Sequence, residues 1–209
     1  MEQLAVKYFP QRDNDNNPMG TCCPTCAAMA LEFKNFDTEY LMAVVHSTGA
    51  RQIEDALTKL TPNYADFYKL EHTIDTHFMR GDYQYTGVKN LTHEGIKQEI
   101  DNLYPVEIVI CIGATLHCVL VVGYDNDKYY MHDPYGSFIE GYPKFDELGN
   151  AKAFKDGQYA EYSYSMLWKG EPEKYGYGWN SIPRGRLAYI VGGDKTPCLL
   201  IHADKVKEV

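Results

Sequence analysis

The chain has 209 residues, 44% of them hydrophobic and 23% charged, with a net charge of -9. That length suffices for one good core, and the composition is ordinary for a soluble globular protein. The acidity disfavours a sequence-independent grip on nucleic acid, which needs clustered Lys and Arg, and no apolar run approaches the roughly 20 residues that span a bilayer.

No internal repeat argues for two units, so one domain over 1–209 is expected, with a core over 4–140 and an aromatic-rich C-terminal extension over 141–209. Met1-Glu2-Gln3-Leu4 lacks the basic and apolar parts of a signal peptide, which predicts a chain that is cytoplasmic as synthesised. The six cysteines, three of them within 22–26, do not resemble a disulfide framework and are read as reduced.

In chain order, residues 4–9 read as a strand and Arg12 to Gly20 as a polar loop. Asp13, Asp15 and Asn17 begin a calcium-loop pattern there. Pro18 stands where that pattern requires glycine and no Glu closes it, so the segment reads as a solvated turn. Pro24 suits the first position of a helix, and the Ala, Met and Leu run behind it extends that helix to Phe33. Asp37-Thr38-Glu39 caps a further helix through about His46, and Ala50 to Leu60 repeats apolar residues at helical spacing. Residues 62–90 are mixed and aromatic, and Thr92 with Glu94 opens a helix ending near Leu103.

From Val106 the period becomes that of strands, over 106–112, 117–124 and 128–132, which predicts an antiparallel core. The segment from Phe145 to Gly178 carries Tyr159, Tyr162, Tyr164, Trp168, Tyr175 and Tyr177. These either line a groove for an extended ligand or pack on the outer face of a sheet. Arg186 to Val191 could close the sheet, and Lys195 to Val209 is a charged, partly apolar tail with one last strand and a short extension.

The chemistry concentrates in Thr21-Cys22-Cys23-Pro24-Thr25-Cys26, where a thiol meets the free amides of a helix mouth. Those amides and the helix dipole favour a thiolate, and the argument applies almost equally to Cys22 and Cys23. A base is available in His117, at the start of an apolar strand. The turn Asp125-Asn126-Asp127 sits midway between His117 and Asp133, so a hairpin would bring that carboxylate beside the ring. Cysteine, histidine and an orienting carboxylate are the parts of a thiol-hydrolase triad. Strand alternation sends the neighbouring His132 to the opposite face. Cys23-Pro24-Thr25-Cys26 also has CxxC spacing, but no second CxxC or HxxxH accompanies it, so neither a metal nor a cofactor is expected.

The run CCPTCAAMAL is similar to the CGPTSxAM signature of the cysteine peptidases related to bacteriocin-processing (double-glycine leader) peptidases, a branch of the papain-like superfamily. HCVLVVGYDNDKYYMHDPYG resembles that family's histidine and aspartate strands, and Val6 to Asn14 its first strand. The resemblance covers residues 6 to about 136 and departs at Cys23, where the family has glycine, at Cys26, where serine is usual, and in the spacing from Gln11 to Cys22. It implies an α+β, papain-like fold with N-terminal helices packed on an antiparallel sheet. It further implies Cys22 as nucleophile, His117 as general base and acid, Asp133 as orienter and Gln11 as oxyanion donor. The expected function is a cysteine peptidase acting on a peptide or peptidoglycan-peptide substrate. An endolysin-type enzyme of bacteria or phages, released to the periplasm or cell wall, is the favoured form. The competing readings are a protein-processing protease and a non-catalytic binding module on a papain-like shell.

Overall fold

Helix α1 (Cys22–Phe33) is apolar on every side, and every residue from Cys23 to Leu31 is buried, so it can persist only inside the molecule. It begins after Thr21, whose carbonyl accepts from the Thr25 amide, and it packs against the sheet and a second helix. The computed structural model describes residues 2–14, 16–34, 53–60, 67–78, 83–84, 87–112, 115–137, 157–164, 167, 188–190, 195–202 and 204–205. The helix expected over 37–46 and the aromatic residues Trp168, Tyr175 and Tyr177 lie outside them. The other described α-helices are α2 (Ile53–Leu60), α3 (Phe67–Thr73) and α4 (His93–Asp101). The Thr92 side chain caps α4 by accepting from the Gly95 amide at 3.1 Å.

The strands are β1 (Glu2–Gln3), β2 (Tyr83–Gln84), β3 (Gly87–Leu91), β4 (Val106–Ile112), β5 (Thr115–Tyr124), β6 (Lys128–His132), β7 (Ala160–Ser163), β8 (Ala188–Ile190), β9 (Thr196–Leu200) and β10 (Asp204–Lys205). The main sheet runs β3-β9-β4-β5-β6-β7, and all its pairs are antiparallel. Strand β8 continues along β4 where β9 leaves off, and β2 pairs separately with β10. Helices with an antiparallel sheet make the architecture α+β. No helix among the described residues is long and apolar enough to cross a membrane.

Two expectations change. The leading strand is Glu2–Gln3, not 4–9: it pairs with Tyr124 and Gly123, adds one bond from the Leu4 amide to the Val122 carbonyl, and then leaves the sheet. The last strand expected within 195–209 is present at Thr196–Leu200, but it is interior to the sheet. Strand β9 lies between β3 and β4, with Cys198, Leu199 and Leu200 buried, so the core reaches well past residue 140. The apolar alternation of a tail cannot distinguish an edge from an interior position, because the pairing partners on β4 and β3 are about 90 and about 110 residues away in the chain.

The β5–β6 hairpin carries a bulge. On the turn side Tyr124 faces Tyr129 and Gly123 faces Tyr130; beyond it Val121 faces Met131 and Leu120 faces His132, leaving Val122 as the extra residue.

Candidate active site

The bulge decides which side of the hairpin Asp133 occupies. Continued past Leu120–His132, the register sets Asp133 against Val119, and therefore on the face of β5 that also carries His117, two residues further along. Had Val122 paired with Met131 and formed no bulge, Asp133 would face Leu120 and point away. The two side chains meet: His117 Nε2 lies 2.7 Å from Asp133 Oδ1, with both residues buried. That contact leaves Nδ1 for a second partner, and the ring also interacts with the Cys22 sulfur. His132, on the other face, is held by the Val6 carbonyl and the Tyr159 amide.

Asp133 sits in a made-to-measure seat. Its Oδ1 also accepts from the Tyr135 amide at 3.0 Å, and its Oδ2 accepts from the Tyr162 hydroxyl at 2.6 Å. Its backbone is fixed as tightly: the amide donates to the Gly157 carbonyl, and the carbonyl accepts from the Tyr8 hydroxyl at 2.9 Å. A Cβ at Gly157 would fall 1.9 Å from the Asp133 carbonyl oxygen, so only glycine permits this approach. The described aromatic residues of the C-terminal third, Tyr159, Tyr162 and Tyr164, pack against the core. Tyr162 is fully buried against the carboxylate, and Tyr159 donates to the Leu4 carbonyl. Sequence reasoning missed Tyr162, Tyr8 and Gly157, although the period-2 pattern of Ala160-Glu161-Tyr162 marked Tyr162 as inward-facing.

Cys22 is the first residue of α1 and is half-buried. Gln11 is buried nearby in chain terms: its amide donates to the Pro134 carbonyl at 2.8 Å, and its own carbonyl accepts from the Thr21 hydroxyl at 3.5 Å. One segment thus links the residue before the nucleophile candidate to the residue after Asp133. The Gln11 Nε2 donates to the Pro18 carbonyl at 3.2 Å, and its Oε1 is buried without a hydrogen-bond partner among the described residues.

The electrostatics depart from the helix-mouth expectation for Cys22. A hydrogen bond with the Cys118 thiol, then burial, hold the Cys22 thiol above its ordinary range, while His117 pulls the other way. For His117, burial disfavours the charged ring, but the Asp133 carboxylate and the Cys22 sulfur outweigh it and push the ring up to about 10. Cys22, Cys23, Cys26, Cys118 and Cys198 are free thiols. Cys23 and Cys26 are pushed up, chiefly by burial, so the helix mouth activates neither. The thiols do have one unexpected neighbour: Glu107, buried on β4, which no sequence pattern singled out.

A helix that presents cysteine to a histidine strand and an acid-bearing strand is the architecture of papain-like peptidases. The chain matches the model of the Peptidase_C39-like family over residues 3–166 and belongs to that family. Membership suggests a cysteine peptidase. A crystal structure of a candidate C39-like peptidase from Bacillus anthracis is similar at 14% identity and a TM-score of 0.43, covering 98% of this chain and 100% of that one. No curated protein matches the chain.

Proposed function

We propose that this protein is a cysteine peptidase using Cys22, His117 and Asp133, with Gln11 as a second oxyanion donor. The observation that carries the reading is the His117 ring held at 2.7 Å by a fully buried carboxylate while its other side meets the Cys22 sulfur. A buried acid with three donors costs stability unless its orientation is used, and orienting an imidazole is such a use. In the reactive form the thiol has lost its proton and faces the imidazolium. The thiolate attacks the amide carbon, and the C=O electron pair moves onto oxygen. The Cys22 amide and the free hydrogen of Gln11 Nε2 stabilise that oxyanion. His117 then gives its proton to the leaving amine, and the C–N bond breaks. The neutral ring next takes a proton from water, which cleaves the thioester and regenerates the pair.

Cys22→Ala should abolish turnover while leaving the thermal unfolding midpoint within a few degrees of the parent. Full activity in that variant would end the proposal, and would turn attention to Cys23. The proposed substrate is a peptide amide. Zymography on purified cell walls beside a casein digest divides its two forms: wall clearing alone supports an endolysin-type enzyme, casein cleavage alone a protein-processing one. Failure on both with an unreactive Cys22 favours the binding module.

A further inference from the structure

We infer that Cys23, Cys118 and Glu107 form a buried site for a thiophilic divalent cation of the zinc class, behind the helix mouth. The inference stands whether or not Cys22 is a nucleophile. The two sulfurs and a carboxylate oxygen all lie within 4.8 Å of one another, and the residues are 0%, 2% and 1% exposed. Tetrahedral zinc, with metal–sulfur bonds of about 2.3 Å and metal–oxygen bonds of about 2.0–2.2 Å, sets its donors roughly 3.5–4 Å apart, so small rotations close the site.

The fold brings the three donors together from three elements. Cys118 on β5 faces Val109 on β4, and Glu107 lies two residues along β4 on the same face; Cys23 comes from the first turn of α1. Cys26, three residues on in that helix and fully buried, adds a further thiol one turn away.

Glu107 supplies the independent pointer. It interrupts the otherwise apolar run Val106-Glu107-Ile108-Val109-Ile110 at an interior strand position. Both of its oxygens are buried, and the only groups set to donate to them among the described residues are the Cys23 and Cys118 thiols, which are weak donors. A buried carboxyl group served only by weak thiol donors costs stability, where a Val or Leu would add to it. A cation held by it and by two thiolates resolves that cost. The donor set selects among metals: one oxygen and two sulfurs suit zinc, whereas magnesium and calcium want only oxygens, and Cu(I) prefers an all-sulfur set. The family signature that this chain resembles has glycine where Cys23 stands, so one of the ligands is a departure from that pattern.

The test uses the full chain, reduced, treated with chelator, and titrated with Co2+ under argon, then with Zn2+. The expected result is one Co2+ per chain, with thiolate-to-cobalt charge-transfer absorption and intense tetrahedral d–d bands that Zn2+ displaces. Glu107→Gln, nearly isosteric and neutral, should weaken binding at least tenfold while its circular dichroism stays that of the parent. The pair Cys23→Ala/Cys118→Ala should lose the charge-transfer band, and Cys22→Ala should keep both band and stoichiometry. No thiolate band in the parent chain, or affinity unchanged in Glu107→Gln, overturns the inference. So does a band lost in Cys22→Ala, since the ion would then sit on that residue and not behind it.

Discussion

Acid should weaken this fold through one imidazole, and the size of the effect can be worked out. His132 is fully buried, with its Nε2 donating to the Val6 carbonyl at 2.9 Å and its Nδ1 accepting from the Tyr159 amide at 3.2 Å. The bond to Val6 survives protonation, but the bond from Tyr159 requires the neutral ring. Protonation would set an N–H against the N–H of Tyr159, and burial, the largest cause, lowers the pKa from 6.5 to about 4. Between pH 6.5 and about 4 the unfolded chain therefore binds a proton at this residue that the folded chain refuses. The His132 contribution is complete above pH 6.5 and is lost as the pH falls toward 4, and a shift of that size amounts to about 3 kcal/mol. Glu54, pushed up to about 8 chiefly by burial, acts in the opposite sense over part of this range, so the raw pH profile mixes the two. The informative quantity is the difference between the parent and His132→Gln, whose amide can still donate to Val6 but does not titrate. In urea melts at pH 7.5, 6.5, 5.5 and 4.5, the parent should lose about 3 kcal/mol relative to the variant from the highest pH to the lowest. A difference that stays constant within about 0.5 kcal/mol, with unchanged m-values, would refute the reasoning.

Tyr162→Phe removes the hydroxyl that donates to Asp133 Oδ2 and should cost about 1–3 kcal/mol in denaturant melts. A smaller fall in kcat should accompany it, because Tyr135 and His117 still hold Oδ1. Gly157→Ala drives a methyl group into the Asp133 carbonyl. It should lower stability by at least 2 kcal/mol and reduce kcat more than it changes KM, as judged by steady-state peptide assays. Removing residues 195–209 takes away the three buried apolar residues of β9 and buried Ile201, each contributing about 1.5–3 kcal/mol at most, and strips β3 and β4 of a shared partner. Against a typical stability of about 5–15 kcal/mol that loss should leave the chain unfolded, with far-UV circular dichroism as the readout.

Local signals were legible in the sequence where they were strong and short-range. Pro24 and its apolar run gave α1 to within two residues, Thr92 capped α4 as expected, and the three strands from Val106 to His132 stand where the period-2 pattern put them. The His117–Asp133 contact was also foreseeable, although the even spacing about the turn was an incomplete reason for it. What escaped notice depends on distant pairings. The seat of Asp133 is assembled from Tyr8, Gly157 and Tyr162, residues up to 154 positions apart, and nothing local to any of them reveals the carboxylate they serve. Glu107 was hidden for a similar reason: read alone it is an ordinary charge in a strand, and its meaning depends on thiols from two other elements. The expected lowering of the Cys22 pKa considered only its own helix and left out Cys118, the neighbour that most strongly opposes it.

The extra residue at Val122 has a consequence for how this hairpin can change over evolutionary time. Insertions at the Asp125–Asp127 tip only lengthen a loop and leave His117 and Asp133 facing each other, so the number of residues separating the histidine from the aspartate is free to drift there. A slip of register in which Val122 takes Met131 as its partner is of another kind: it re-phases every later side chain of β6, setting His132 opposite Val121 on the imidazole's face and Asp133 opposite Leu120 on the other. Such a chain would keep each letter of both strands, and a search by motif would accept it, yet it would have exchanged its acid for a second histidine.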